Sequence, residues 1–288
     1  MGDSYLELFL SSAYAQSSSY AALSLLFLFL ARMLPIIAMS PFFGARLLPN
    51  PTKVFFAFTL FVVFLPHLLL SVSSPTEFNT QLVFYVLKEL FVGLAIGYIM
   101  SIPFIIVQSA GIIIDHQRGG ASLMVNDPTI QNQSSPLGTL FNMVLIYIFY
   151  MIDGPFLFID AIIKSYELIP PDKFLNPAFF NLSSSFAKMI IQLFNQMMVI
   201  TIQIAAPALI SILMTDVFLG IANRLAPQVQ ITFLGMPLKS LIGLTVICFG
   251  WQLMTSEFVR QSYFWISNVI NMLQMFIIPA GQELPASA

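Results

Sequence analysis

Apolar residues gather in six long tracts, at about 20–43, 53–72, 82–114, 137–163, 186–222 and 236–278. A bilayer core of about 30 Å is crossed by roughly 20 apolar residues in helical form, and every tract reaches or approaches that length. Between them lie turn-forming runs: Leu48-Pro49-Asn50-Pro51, Ser73-Ser74-Pro75, Asn126-Asp127-Pro128 and Ile169-Pro170-Pro171-Asp172. Backbone groups in hydrocarbon must be satisfied within their own segment, so the pattern predicts an all-α, multi-pass membrane-type protein. Three tracts are too long for one simple crossing. Residues 82–114 would reach about 50 Å and 186–222 about 55 Å at 1.5 Å per residue. Pro103 and Pro207 lie well inside them, and 236–278 is interrupted by Thr255-Ser256-Glu257 and Arg260-Gln261-Ser262. These tracts predict long kinked helices, or helical hairpins that do not fully cross. The whole of 1–288 reads as a single helical domain, with 1–20 and 275–288 as poorly defined ends.

Composition removes the soluble alternative. Hydrophobic residues make up 58% of the chain and charged residues 8%, against about 45–50% and about 25% in soluble domains. The 11 Lys and Arg and 13 Asp and Glu give a net charge of −2 with no run of one sign, which excludes a nucleic-acid face. Cys248 is the only cysteine, so no internal disulfide or cysteine metal framework is expected. Ala13-Tyr14-Ala15 imitates a signal-peptidase site, but residues 1–12 hold Asp3 and Glu7 and no basic residue, and no cleavable signal is expected. With the N-terminus outside, inner loops carry Arg46, Lys53, Arg118, Arg224 and Lys239, and outer loops Lys164, Lys173 and Lys188. That asymmetry leans the usual way.

Polar residues within apolar tracts carry the candidate chemistry, since a charge at the centre of a span costs about 2.5–3.5 kcal/mol. Lys88-Glu89 stands in the third tract, ahead of Gly93, Gly97 and Ser101. Small residues at every fourth position let another helix approach closely, either inside the chain or from a neighbouring subunit. Gln192, Gln196 and Gln203 share one helical face with Asn195 beside them, which suits intersubunit or lumen contact or else internal packing. Asp160 and Lys164, at i, i+4, and Glu257 and Arg260, at i, i+3, are spaced for ion pairs. Asp216 and Arg224 flank Gly220. The densest polar cluster, Asp115-His116-Gln117-Arg118-Gly119-Gly120, closes the third tract. Composition alone makes it a solvated loop. Its position at the end of an overlong tract, like that of Arg224-Leu225-Ala226-Pro227-Gln228, makes it a candidate for assembly or gating, with a carboxylate or helix carbonyls as acceptors for Arg118 and Arg224.

Catalysis finds no constellation. There is no G-x-x-x-x-G-K-[ST], H-E-x-x-H or G-x-S-x-G, and His67 and His116 are far apart in sequence. No enzyme, cofactor or metal is expected. A self-contained secondary transporter with helices broken at proline is the alternative from another class, although no internal repeat supports it.

Three segments, in order over about 30–245, resemble the SctT/FliR (YscT/SpaR) family of type III secretion export apparatus proteins. The first is Ala31-Arg32-Met33-Leu34-Pro35 with Ser40-Pro41-Phe42-Phe43-Gly44 and Leu48-Pro49. The second is Lys88-Glu89-Leu90, Val92-Gly93 and Gly97, then Gln108-Ser109-Ala110-Gly111, Asp115-His116-Gln117-Arg118-Gly119, Asn126-Asp127-Pro128 and Ser135-Pro136-Leu137-Gly138. The third is Ala206-Pro207-Ala208, Asp216–Arg224, Ala226-Pro227-Gln228-Val229-Gln230, Gly235 and Pro237-Leu238-Lys239. The stretch Asp153-Gly154-Pro155 departs from the Gly-Gly or Gly-His of relatives. The resemblance implies a non-enzymatic export-gate subunit with the SctR/SctS/SctT fold, joined at the bacterial inner membrane to SctR-type and SctS-type subunits and a SctU-type switch protein. It implies passage of unfolded secreted polypeptides, driven by a separate ATPase and the proton-motive force, and an injectisome of chlamydial type rather than a flagellum. The assembly or gating candidates are then Lys88, Glu89, Gly93, Gly97, Asp115, Gln117, Arg118, Asn126, Pro128, Pro207, Asp216, Arg224, Pro227 and Gln228.

Overall fold

A computed structural model of the chain describes residues 19–43, 48–72, 79–119, 135–174, 185–225 and 231–275. Its helices are α1 (Ser19–Met39), α2 (Asn50–Ser71), α3 (Thr80–Gln117), α4 (Pro136–Met151), α5 (Gly154–Leu168), α6 (Ser185–Leu225) and α7 (Ile231–Met275), with a 3-10 turn at Pro41–Phe43 after α1. No strand occurs among the described residues. Five helices are long and apolar enough to cross a membrane, or six spans if α4 and α5 count as one.

The turn runs mark helix starts as expected. Pro51 stands in the first turn of α2, where its missing N–H has no partner to lose. Ser135 caps α4 by accepting the Gly138 N–H at 2.9 Å, with Pro136 at the first helical position.

Of the two alternatives for the overlong tracts, the long helices are observed. Neither 82–114 nor 186–222 turns back as a hairpin: α3 runs unbroken through Pro103 and α6 through Pro207. One proline removes one backbone bond, and without turn-forming neighbours that is too little to reverse a helix. In α7 the polar interruption is absorbed in place. The hydroxyls of Thr255, Ser256 and Ser262 donate to the carbonyls of Trp251, Leu253 and Phe258, so each hydroxyl is satisfied without opening the helix. A break lies in the fourth tract, between α4 and α5. Asp153 takes φ 56° there, a left-handed conformation that Asp tolerates better than branched residues. Gly154 and Pro155 then begin α5 afresh.

The chain divides into two compact units. The first comprises Met1–Ser101, Gly154–Ile191 and Phe264–Ala288. In its core Phe29 of α1 meets Phe61 and Phe64 of α2 and stacks on Tyr166 of α5 at 5.8 Å. Phe42 and Phe43 close on Phe158. Gly93 and Gly97 let α3 lie directly on α1: a Cβ on Gly97 would stand 3.1 Å from Ile36 Cα and 3.2 Å from the Pro35 oxygen. The second unit comprises Ile102–Asp153 and Gln192–Tyr263. There Phe104 packs on Phe149, and Phe141 on Trp251 and Phe258. Gly111 and Gly138 bring α3 and α4 backbone to backbone, since a Cβ on Gly111 would fall 2.6 Å from Gly138 Cα.

Candidate functional site

In the first unit, three helices bring charged side chains into an apolar interior. Arg32 of α1 and Glu89 of α3 are fully buried and Lys88 nearly so. The Arg32 guanidinium grips Glu89 with both arms, Nε on Oε2 and Nη2 on Oε1, the latter at 2.8 Å. Its remaining donors close the end of α5: Nη1 reaches the Ser165 carbonyl at 3.0 Å and hydroxyl at 3.1 Å, and Nη2 reaches the Ile169 carbonyl at 2.7 Å. The same guanidinium lies over the Tyr166 ring, 4.1 Å from its centre. Lys88 Nζ pairs with Glu89 Oε1 at 2.8 Å and donates to the carbonyls of Pro170, Pro171 and Lys173. Two cations thus satisfy carbonyls at and beyond the negative end of α5, and Glu89 neutralises one of them. The Asp172 carboxylate acts on Lys88 from the turn itself. Fixed in this way, the charges become affordable inside apolar helices.

The second unit holds another centre at the end of α3. Asp115, fully buried, accepts the Ser135 hydroxyl and, at 2.9 Å, the Leu137 N–H. It thereby secures the first turn of α4. Arg118 pairs with the same carboxylate at 2.6 Å and donates to Ser240 of α7 at 3.2 Å. Beside Ser240, Lys239 forms an ion pair with Asp216 of α6.

The candidates therefore separate. Lys88 and Glu89 join the first centre, and Asp115 and Arg118 form the second with the carboxylate acceptor expected for Arg118. Asp216 is paired, but with Lys239 across helices. Gly93 and Gly97 pack inside the chain against α1. Gln117 is half-buried, whereas Pro207 and Arg224 are exposed on α6. Asn126, Pro128, Pro227 and Gln228 lie outside the described residues. Gln192, Asn195 and Gln203 are exposed and Gln196 half-buried, so this face of α6 is not packed inside the chain. The expected pairs Asp160–Lys164 and Glu257–Arg260 are present at 2.8 and 2.7 Å.

Sequence reasoning missed Arg32, Ser165, Lys239 and Ser240. Arg32 carried a usable signal: it is a lone charge within the first apolar tract, and the rule that flagged Lys88 and Glu89 applies to it equally. Chemically, both centres tie carboxylates to cations, and the first ties main-chain carbonyls to them as well. Among the described residues no group of three or more His, Cys, Asp and Glu could hold a metal ion.

Residues 23–263 match the family described as bacterial export proteins, family 1. The chain is 35% identical over 170 residues to Yop proteins translocation protein T of Yersinia pestis, which covers 58% of this chain and 63% of that relative. It is 30% identical over 213 residues to flagellar biosynthetic protein FliR of Bacillus subtilis (72% and 79%). With secretion system apparatus protein SsaT of Salmonella typhimurium it shares 26% over 234 residues (81% and 86%). The alignment thus spans slightly under two thirds of the Yersinia protein. The family match runs through every residue of both charged centres, from Arg32 to Ser240, and the chain belongs to the bacterial export proteins of family 1, the SctT/FliR family of type III export apparatus proteins.

Proposed function

We propose that the chain is a non-enzymatic core subunit of a type III export gate in the bacterial inner membrane, assembling with unlike SctR-type and SctS-type subunits into a channel for unfolded secreted polypeptides. One observation carries this reading: the uncovered apolar surface is longer than a bilayer. Large exposed hydrophobics on α6 run from Ile191 to Leu225, about 51 Å at 1.5 Å per residue. A hydrocarbon core of about 30 Å would cover that length only at a tilt near 54°, beyond the roughly 0–40° that membrane helices adopt. On α7 only 11% of the most apolar stretch is buried, and Phe249 and Leu253 are 87% and 76% exposed. Apolar surface that lipid cannot reach calls for protein. The relatives of this family carry secretion-system and flagellar names alike; the higher identity to the Yersinia protein favours an injectisome.

The test is co-purification from mild detergent with the SctR-type and SctS-type proteins encoded beside it, against expression alone. Recovery of a mixed complex on co-expression is expected. A lone chain that is monodisperse and recovers no unlike subunit would overturn the reading in favour of a self-contained transporter.

A further inference from the structure

We propose that the 170–173 turn and Glu89 form a coordination site for a large monovalent cation, and that the Lys88 ammonium is its built-in occupant. Four oxygens surround Lys88 Nζ: Pro170 O at 2.8 Å, Lys173 O at 2.9 Å, Pro171 O at 3.1 Å and Glu89 Oε1 at 2.8 Å. An ammonium has three N–H groups, so a shell of four oxygens is set by charge and radius rather than by one directed bond per donor. The oxygens are also prearranged. Pro170 and Pro171 have fixed φ and no N–H, so the stretch is stiff and offers few donors of its own to these carbonyls. The Lys173 N–H returns to Pro170 O at 3.3 Å, closing the turn.

The neighbouring cation shows why the occupant is a lysine. Arg32 spreads a planar fork over Glu89 and the Ser165 and Ile169 carbonyls, whereas the turn encloses a compact, nearly spherical charge. Rings of main-chain carbonyls that replace a hydration shell are the chemistry by which potassium is held, and ammonium is close to potassium in size. A single carboxylate among carbonyls is too little charge to dehydrate magnesium, and the Nζ–oxygen distances are too long for lithium. The class of ligand is thus potassium or ammonium, here tethered through four methylenes to α3.

The site is tested on the full chain in mild detergent by thermal unfolding. Lys88→Met is measured in potassium, ammonium, lithium and choline chlorides at one ionic strength. In lithium or choline its midpoint should fall by about 6 °C or more below that of the unsubstituted chain. Potassium and ammonium should restore at least half of that loss, and the unsubstituted chain should respond alike to all four salts. Adding Glu89→Gln to Lys88→Met should abolish the restoration. Lys88→Arg should be as unstable as Lys88→Met and insensitive to the salt, because a planar guanidinium does not fit the cage. Lack of selective restoration, including a chain unfolded in every salt, overturns the proposal. So does a Lys88→Arg chain as stable as the unsubstituted one, which would reduce the cage to an ordinary ion pair.

Discussion

Removing the guanidinium of Arg32 would leave Glu89 with Lys88 as its remaining cation, take the side-chain donor from the Ile169 carbonyl, and leave the Ser165 carbonyl with only the Ile169 N–H. Breaking a buried pair by deleting one partner costs about 3–5 kcal/mol, so Arg32→Ala should lower the stability of the full chain by that order. Arg32→Lys should recover little of the loss, since one ammonium cannot span a carboxylate and two carbonyls at once. Unfolding midpoints in detergent decide this, and an Arg32→Ala chain within 1 kcal/mol of the original would refute it. Arg118 and Arg224, the two arginine candidates, should part company. Arg118→Ala forfeits charge-assisted bonds to buried Asp115 and should cost about 1.5–3 kcal/mol, whereas Arg224→Ala, fully at the surface, should stay within about 0.5 kcal/mol. If Arg224→Ala nevertheless blocks secretion, its contact lies outside this chain. Both are arginines ending overlong apolar tracts, and position alone does not separate them. Arg118 has Asp115 three residues earlier on the same turn, a local relation that sequence does show. The pairings Arg32–Glu89 and Asp216–Lys239 join different helices, and spacing along the chain says nothing about them.

Close helix crossings make glycine substitutions sharply unequal. At Gly93 a Cβ would sit about 3.0 Å from both the Arg32 carbonyl carbon and Cα. These are backbone atoms that cannot swing aside, so Gly93→Ala should cost about 1–3 kcal/mol through forced separation of α1 and α3. Gly250 in α7 has nothing within 4 Å, and Gly250→Ala should stabilise by up to about 1 kcal/mol through helix propensity alone. Parallel thermal melts check the pair; equal shifts would mean that the crossing is looser than drawn. All six apolar tracts appear as helix because hydropathy and length report directly on burial in lipid. The position of the break was harder to see. Pro103 and Pro207 suited either a kink or a break and sit within continuous helices, while a break came at Asp153-Gly154-Pro155, in a tract whose length invited no suspicion. A lone proline weakens one bond, whereas a left-handed residue followed by Gly-Pro redirects the backbone itself.

For the chain as a subunit, the exposed surface of α7 sets the expectation. Phe249, 87% exposed, contributes almost nothing to the fold, so Phe249→Asp should leave the melting of the lone chain unchanged within about 0.5 kcal/mol. If the proposed assembly covers this residue with an apolar partner, an uncompensated charge there should reduce co-purification and secretion together. Normal recovery of the complex with Phe249→Asp would remove this part of α7 from the interface. Membership of the export family could be read from the ordered motifs, which hold the charged residues of both centres, Arg32, Lys88, Glu89, Asp115, Arg118, Asp216 and Lys239. What surrounds the chain could not, since a leucine that faces lipid and one that faces a partner helix are written identically.

The bond between Arg32 and Glu89 spans 57 residues of sequence, which gives it a meaning in time as well as in space. A ribosome adding about 5–20 residues each second needs about 3–11 s to make the second partner after the first. Through that interval α1 carries an unneutralised guanidinium, at an insertion penalty of about 2.5–3.5 kcal/mol if it settles at mid-bilayer. The nascent helix is therefore best held at the edge of the translocon, in contact with water, until α3 emerges. Synthesis of Glu89 then becomes the event that releases the first helix into lipid, and the order of the chain becomes a schedule for its own insertion.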